Sequence, residues 1–292
     1  MRFDIVKNRK WYYAFSLLIS VVGIVIMLVM GLNLGTDFQA GSRVQFTVGQ
    51  SFDEDVLARE LQDNVKTVEV SSVQQIQEGE GAVIRIAEKI TPEEEKQISD
   101  YLLSKYPNAD PQISSIDPVV ARELAEKAIW AILYASIGII LYMAFRFEYR
   151  FAISGVLSVL QVVLVVVSLF ALLRLEIDIT FIAAILTIVG YSIHDTIVIF
   201  DRIRENLKHY KVKTVADLEK LVNDSIWQTM ARSINTVLTV VFSAGMLFLM
   251  GGEAIKHFSL ALLIGLVTGA YSSIFIASQL WVTWKSRELK KA

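Results

Sequence analysis

Six separate runs of this 292-residue sequence are each long and apolar enough to cross a bilayer, and no single soluble core can absorb them. A spanning helix needs roughly 20 mostly apolar residues, because the hydrocarbon layer is about 30 Å thick and each helical residue rises ~1.5 Å. The runs cover 11–34, 128–147, 151–173, 179–200, 234–250 and 258–284. Hydrophobic residues make up 54% of the chain, and their concentration in these blocks matters more than the total. The first run follows Lys7, Arg9 and Lys10. A secretory signal would have an apolar stretch of only about 7–15 residues and a small-residue cleavage site. This run is longer and ends in Gly35-Thr36-Asp37-Phe38, so it is read as an uncleaved span.

Lys and Arg in short loops set orientation. With the N-terminus inside, the inner segments collect Arg146, Arg150, Arg202, Arg204, Lys208, Lys211, Lys213 and Lys220, and the tail adds Lys285, Arg287, Lys290 and Lys291. The short outer loops hold only Arg174 and Lys256. The expected division is therefore a cytoplasmic N-terminus and first span (1–34), an extracytoplasmic domain (35–127) and spans two to four (128–200). A cytoplasmic loop (201–233), spans five and six (234–284) and a cytoplasmic tail (285–292) follow. Trp11, Tyr12 and Tyr13 at one end of the first span, and Trp281 and Trp284 in the last, suit a membrane interface.

The stretch 35–127 is polar and acidic. Ser42-Arg43-Val44-Gln45-Phe46-Thr47-Val48 alternates as a strand, with Val44, Phe46 and Val48 on one face. Ser51 before Phe52-Asp53-Glu54 suggests a capping box for a helix reaching about Asn64. Residues 67–77 and 82–87 read as strands joined across Glu78-Gly79-Glu80-Gly81. Thr91-Pro92-Glu93-Glu94 opens a second helix running to about Lys105, and 112–116 closes the set as a last strand. This βαββαβ order is the ferredoxin-like pattern. The expected fold is thus an α-helical polytopic membrane protein with six spans and one α+β ferredoxin-like domain.

Composition excludes several chemistries. With no Cys, disulfides, thiolate metal sites and Cys nucleophiles are ruled out. His194, His209 and His257 have no metal-ligand spacing, and the outer stretch has neither His nor a nucleophile arrangement. No catalytic residue, metal or cofactor is expected, and no nucleic-acid partner.

One acid stands out. Asp195 lies inside the fourth run, with His194 beside it. An ionisable residue within a span is costly and normally faces the bundle interior to do work. If the span centres near Gly190, Asp195 sits about 7 Å toward the inner side. Tyr191, Ser192, Val198 and Arg202 share its helix face, whereas Asp201 is expected at the interface as a structural charge. In the fifth span Arg232, Thr236, Thr239 and Ser243 fall at spacings of four, three and four, with Asn235 near the edge. Such a polar stripe should face protein or water. Arg232 is the natural ionic partner for Asp195; the competing reading is an interfacial Arg that snorkels. His194, about 100° from Asp195 around the helix, fits either an accessory proton carrier or a helix–helix hydrogen bond. The pairs Ala131/Ala135 and Gly265/Gly269 suit close packing in lipid, and Gln161 suits a hydrogen bond to a neighbouring helix. Residues 213–227 carry Leu218, Leu221, Val222 and Ile226 on one face and read as a short amphipathic helix on the inner surface.

The residues now on view resemble a known family. The run GYSIHDTIVIFDRIREN from Gly190 to Asn206 is similar to the fourth-span signature of the SecF family of the bacterial Sec export machinery, which belongs to the wider SecD/SecF group and the RND class. Gly35, Asp37, Phe38 and Gly41 fall on its G-x-D-F-x-G-G motif after the first span, and 228–236 resembles its fifth-span entry. His194 stands where the family usually has Asn, and Ala40 replaces the first Gly of the pair. The resemblance implies a subunit paired with SecD that uses the proton-motive force to assist translocation of unfolded polypeptides through the SecYEG channel. YajC would associate with it, and SecA would act at the preceding ATP-driven stage. It implies proton-relay roles for Asp195 and Arg232, with Tyr191, Ser192, His194, Thr236 and Thr239 as accessories. The rival expectations are a scaffold subunit without ion conduction and half of an RND-type exporter of small molecules or lipids.

Overall fold

The computed structural model describes residues 3–47, 52–65, 68–76, 81–107 and 109–290. The chain forms two compact units, 1–33 with 130–292, and 34–129.

The smaller unit holds a four-stranded antiparallel sheet. Its elements are β1 (Gly41–Thr47), α2 (Glu54–Asn64), β2 (Val70–Ile76), β3 (Gly81–Ile86), α3 (Pro92–Lys105) and β4 (Gln112–Ile116). The strand order is β2-β3-β1-β4, with Val44 opposite Ile84 and Ile113. Both the βαββαβ order and this sheet order are ferredoxin-like. Alternation puts Val44, Phe46, Ala82, Ile84 and Ile86 on the helix-covered face, against Leu57 and Leu61 of α2 and Ile98 and Leu102 of α3. Thr91 caps α3 in a full capping box with Glu94. The cap of α2 is Asp53, whose carboxylate accepts from the amides of Asp55 and Val56. Ser51, expected in that role, lies outside the described residues, as do Val48, Thr67 and residues 77–80.

The larger unit contains the membrane helices, except that the first turns of the second of them, 118–129, fall in the smaller unit. Among the described residues, six helical segments are long and apolar enough to cross a bilayer: α1 (Arg9–Met30), α4 (Pro118–Arg146), α5 (Tyr149–Leu172), α6 (Ile179–His209), α7 (Val215–Met250), and α8 (Glu253–Ser272) continued by α9 (Ser278–Leu289). They divide into two groups. About half of the apolar window is buried in α5, α6 and the last helix (44%, 44% and 56%), against 11% in each of α1, α4 and α7. The first three form the core, and the others lean on it by narrow strips.

Two helices run further than the apolar lengths suggest. α6 continues past Phe200 to His209, and 215–227 forms the first turns of α7 instead of a separate surface helix. Thr214 caps it in a box with Asp217, and no Gly or Pro interrupts the chain before Gly245. The apolar face of Leu218, Leu221, Val222 and Ile226 is buried within the protein, in one cluster with Ile5, Val6 and Ile203. The N-terminal segment is pinned there: the Ile5 amide donates to Asn223 Oδ1 at 2.9 Å, and Arg9 pairs with Glu219 at 2.6 Å.

Candidate functional site

α6 starts sharply because Asp178 accepts from the Phe181 amide and the Thr180 hydroxyl. From there a buried stripe of Ile185, Ile188, Ser192, Asp195, Ile199 and Ile203 recurs at helical spacing. Asp195 therefore sits in the line of α6 residues that packs inward, and it is 7% exposed.

The last helix can come this close because it carries glycine at two crossing points. A Cβ on Gly265 would lie 2.3 Å from the Ile188 side chain, and one on Gly269 would touch Ser192 at 3.4 Å. This pair packs as its spacing suggests. Ala131 and Ala135 on α4 do not: Ala131 is exposed and Ala135 half-buried. Gln161 does form a helix–helix contact, lying 3.1 Å from the Ser272 hydroxyl.

Around Asp195 the polar groups are hydroxyls. Ser233 of α7 and Ser273 of the last helix are both buried beside it, and Ser273 Oγ bonds to the same turn of α6, 2.8 Å from Thr196 Oγ1 and 3.3 Å from Ser192 O. Oδ2 of Asp195, Oγ of Ser192 and Oγ of Ser233 are all buried without a formed hydrogen bond. A narrow cleft at this point is lined by Tyr191, Ser192, His194, Asp195, Thr236, Gly265 and Gly269, among others.

The ion pair expected between Asp195 and Arg232 is absent among the described residues. Arg232 lies on the exposed side of α7, while its neighbour Ser233, turned by about 100°, is 2% exposed and meets α6. Thr236 is half-buried at the cleft edge, and Asn235, Thr239 and Ser243 are exposed. Their hydroxyls bond back along the helix, Thr236 to Arg232 O and Thr239 to Thr236 O, each at 2.8 Å. The stripe therefore runs along an open face of this chain. Tyr191 (39% exposed) and His194 lie at the same open flank of α6. Asp201 pairs with Arg146 at 3.0 Å and Arg204 at 3.4 Å, as befits a structural charge. Thr196, Ser233 and Ser273 were not singled out from sequence; the Ser272-Ser273 pair in an apolar run was the available signal.

The motif after the first span is a turn followed by a strand. The amides of Phe38 and Gln39 both donate to Gly35 O, and Asp37 is exposed to an intermediate degree. Gly41 has φ +134°, and a Cβ there would fall 2.3 Å from Ile86 O. This position needs glycine on both counts.

Comparison with known proteins places these features in one family. Residues 98–287 match the family model "Protein export membrane protein SecD/SecF, C-terminal", and 25–51 match "SecD/SecF GG Motif". The chain belongs to the SecD/SecF family. Within that family it is 47% identical, over its whole length and 96% of the relative's, to the protein translocase subunit SecF of Alicyclobacillus acidocaldarius. It is 45% identical to the protein translocase subunit SecDF of Bacillus subtilis, covering 99% of this chain but 39% of that one. The crystal structure of SecDF from Thermus thermophilus, a translocon-associated membrane protein, superposes with a TM-score of 0.89 at 31% identity, over 98% of this chain and 39% of that one. These SecD/SecF relatives, together with the six apolar helices, make the chain a multi-pass protein of the cytoplasmic membrane involved in protein translocation.

Proposed function

We propose that the chain is the SecF half of a SecD–SecF pair, and that the proton gradient drives it to assist and complete passage of unfolded polypeptides through the SecYEG channel. YajC would join this assembly and SecA would deliver the chain at the preceding ATP-driven stage. The reading orients both termini to the cytoplasm and the ferredoxin-like unit outward, supported by the concentration of Lys and Arg in the inner loops. In this reading the chain divides into 1–34, 35–127, 128–200, 201–233, 234–284 and 285–292, the fourth of these holding the end of α6 and the first turns of α7.

The observation that carries the proton role is Asp195: a buried carboxyl in a membrane helix, with one oxygen lacking a hydrogen bond, at the edge of an open polar face. Burying a charge without a partner is expensive, so such a group is poised to exchange a proton. The open stripe from Arg232 through Thr236 to Ser243 supports a second half on that side, bringing an acid of its own to Arg232. The lengths of the SecDF relatives, of which this chain spans 39%, leave room for one. In this reading water reaches Asp195 along the seam between the halves. Tyr191, Ser192, His194, Thr236 and Thr239 line the way, and Arg232 draws near when the halves shift. One proton crossing 100 mV releases only about 2.3 kcal/mol. That suffices to bias two conformations of similar energy, but not to unfold a domain worth roughly 5–15 kcal/mol.

Asp195→Asn is nearly isosteric and cannot ionise. In inverted membrane vesicles the gradient-dependent part of export should fall at least tenfold, with ATP-driven initiation and complex assembly unchanged. Wild-type gradient dependence in that variant would end the proton role and favour a scaffold.

A further inference from the structure

On the inner side of Asp195 the two flanks of α6 differ. Toward α5 and the last helix the way is closed by rings. Phe151 stacks on Trp281 with 4.4 Å between centroids and meets Phe200 at 4.7 Å, and Phe147 meets Phe200 at 6.2 Å. All four rings are buried, in one cluster with Ile199 and Ile203. Outward of the rings the last helix makes a π turn, Ser273–Ala277, between α8 and α9. Two of its carbonyls are taken by side chains, with Ser278 Oγ donating to Ser273 O at 3.0 Å and Gln279 Nε2 to Ile274 O at 3.4 Å. Just before it, Ser272 Oγ reaches α5, 2.9 Å from Ser158 O.

Toward α7 the lining is polar. Ser225, Thr229 and Ser233 recur every four residues, so they form one stripe of α7, and all three are buried. This stripe is separate from the exposed one that begins at Arg232. At its inner end Asn206 of α6 donates across the pair, to Ser225 Oγ at 2.7 Å and to Gln228 Oε1 at 3.0 Å. Arg202, one turn back along α6, donates to the same Gln228. At its outer end Thr236 shares the cleft of Asp195. Thr229 and Ser233 therefore lie along α7 between the level of Asn206 and that of Asp195. The hydroxyls of Ser225 and Thr229 donate back to Leu221 O at 2.8 Å and Ser225 O at 3.1 Å, and their oxygens remain acceptors. Ser233 Oγ and Asp195 Oδ2 have no hydrogen-bond partner among the described residues. Buried polar atoms of this kind are where internal water is held. Gln228 and Glu205 are exposed at the inner mouth, where Glu205 pairs with Arg202 at 2.7 Å.

Resting on the reading of Asp195 as the group that carries the proton, we propose that the inner leg of its route runs between α6 and α7, within this chain. Ser233, Thr229 and Ser225 are positioning residues that hold a file of water from Asp195 to Asn206, and Gln228 and Arg202 mark its inner mouth. The seam with a second half supplies the other leg. On release the Asp195 O–H bond breaks and its proton joins the nearest water. That water passes one of its own protons to the next, until one reaches the inner bulk. Asp195 is left as a carboxylate, and the file keeps its number of waters.

The test uses the full chain assembled with its SecD-type partner, in inverted vesicles, where the inner face meets the bath. Thr229→Val keeps the side-chain shape and removes the hydroxyl. Gradient-dependent export should fall about fivefold, the weight of one hydrogen bond. Thr229→Ser, which keeps a hydroxyl, should stay within about twofold of the parent. The chain has no Cys, so Ser233→Cys supplies its one thiol. Silver ion in the bath, small enough to follow water, should block later maleimide tagging of that thiol. Ser154→Cys is the control on the ring side, because Ser154 Oγ on α5 is also buried without a hydrogen-bond partner. Silver should leave its tagging unchanged. A silver block in Ser154→Cys, none in Ser233→Cys, or equal export in Thr229→Val and Thr229→Ser overturns the proposal alone. Should Thr229→Val reduce assembly, the two silver readings decide. Normal export in Asp195→Asn overturns the reading beneath it, and the silver readings still show which flank of α6 is wet.

Discussion

α6 and α7 both carry a charged residue in or at the edge of an apolar helix, yet the fold treats the two differently. Asp195 is drawn into the chain's own core, among Ser192, Ser233 and Ser273, while Arg232 and the stripe beyond it lie on an exposed face. The same division runs through the whole membrane unit, where α5, α6 and the last helix bury 44%, 44% and 56% of their apolar stretches against 11% for α1, α4 and α7. In lipid there is no hydrophobic drive to bring helices together, so packing depends on close backbone approach and polar contacts. The core trio has both. Gly265 and Gly269 admit α6, and the serine–threonine contacts join α5, α6 and the last helix. The outer three bury a smaller share of their apolar lengths, which leaves more of that surface to lipid or to another chain.

The sharpest way to break this comparison is at the crossing of α6 and the last helix. Gly265→Val would place a methyl-bearing carbon where the Ile188 side chain already sits, 2.3 Å away, and Ile188 is 1% exposed with nowhere to turn. Overpacking of this kind costs about 1–3 kcal/mol. The purified chain in detergent should lose stability by that amount in denaturant titration, and Asp195→Asn should not. A Gly265→Val protein as stable as the parent would mean the trio is not the core.

A smaller effect is expected on α1, whose buried residues within the helix are Ser16 and Gly23. A Cβ on Gly23 would lie 2.3 Å from Ser168 Oγ, which itself donates to Leu164 O at 2.6 Å. Alanine gains about 0.5–1 kcal/mol over glycine within a helix, so the clash and the gain partly offset each other. Gly23→Ala alone should lower stability by about 1 kcal/mol. Adding Ser168→Ala should recover most of that, a coupling readable from a double-mutant cycle. Additive effects would place α1 somewhere other than against Ser168.

How much of this arrangement was legible in the sequence follows from what each signal measures. The spans came from length and hydropathy, the small unit from alternation at Val44 and Phe46 and from the Thr91 cap, and Asp195 from its cost in lipid. These are local properties. The identity of the α7 residue facing Asp195 is not local: it depends on how far α7 is rotated, and one position separates Arg232 from Ser233. Spacing also shows that Leu218, Leu221, Val222 and Ile226 share a face, but not that Ile5 and Val6 would cover it in place of lipid. The π turn left almost no trace, because serine and threonine hydroxyls in apolar helices can bond back to their own carbonyls, as Thr236 does. A Ser that reaches across to another helix looks the same in sequence as one that does not.

The gentlest prediction concerns the open face itself. Thr239 and Ser243 are exposed, and each hydroxyl is satisfied within α7, Ser243 by Thr239 O at 3.1 Å. Replacing both with Leu removes no contact to the rest of the chain and leaves the freed carbonyls in their helical bonds. Stability of the isolated chain should therefore change by no more than about 0.5 kcal/mol. If the stripe is the seam with a second six-span half, the same double substitution should cut co-purification of that half severalfold, because Leu removes the hydroxyls and thickens the surface where backbones must approach closely. A stability loss comparable to that of Gly265→Val would show that α7 buries this face in its own chain. Unchanged stability with unchanged partner capture would assign the stripe to lipid, and the seam would then have to be sought on α1 or α4.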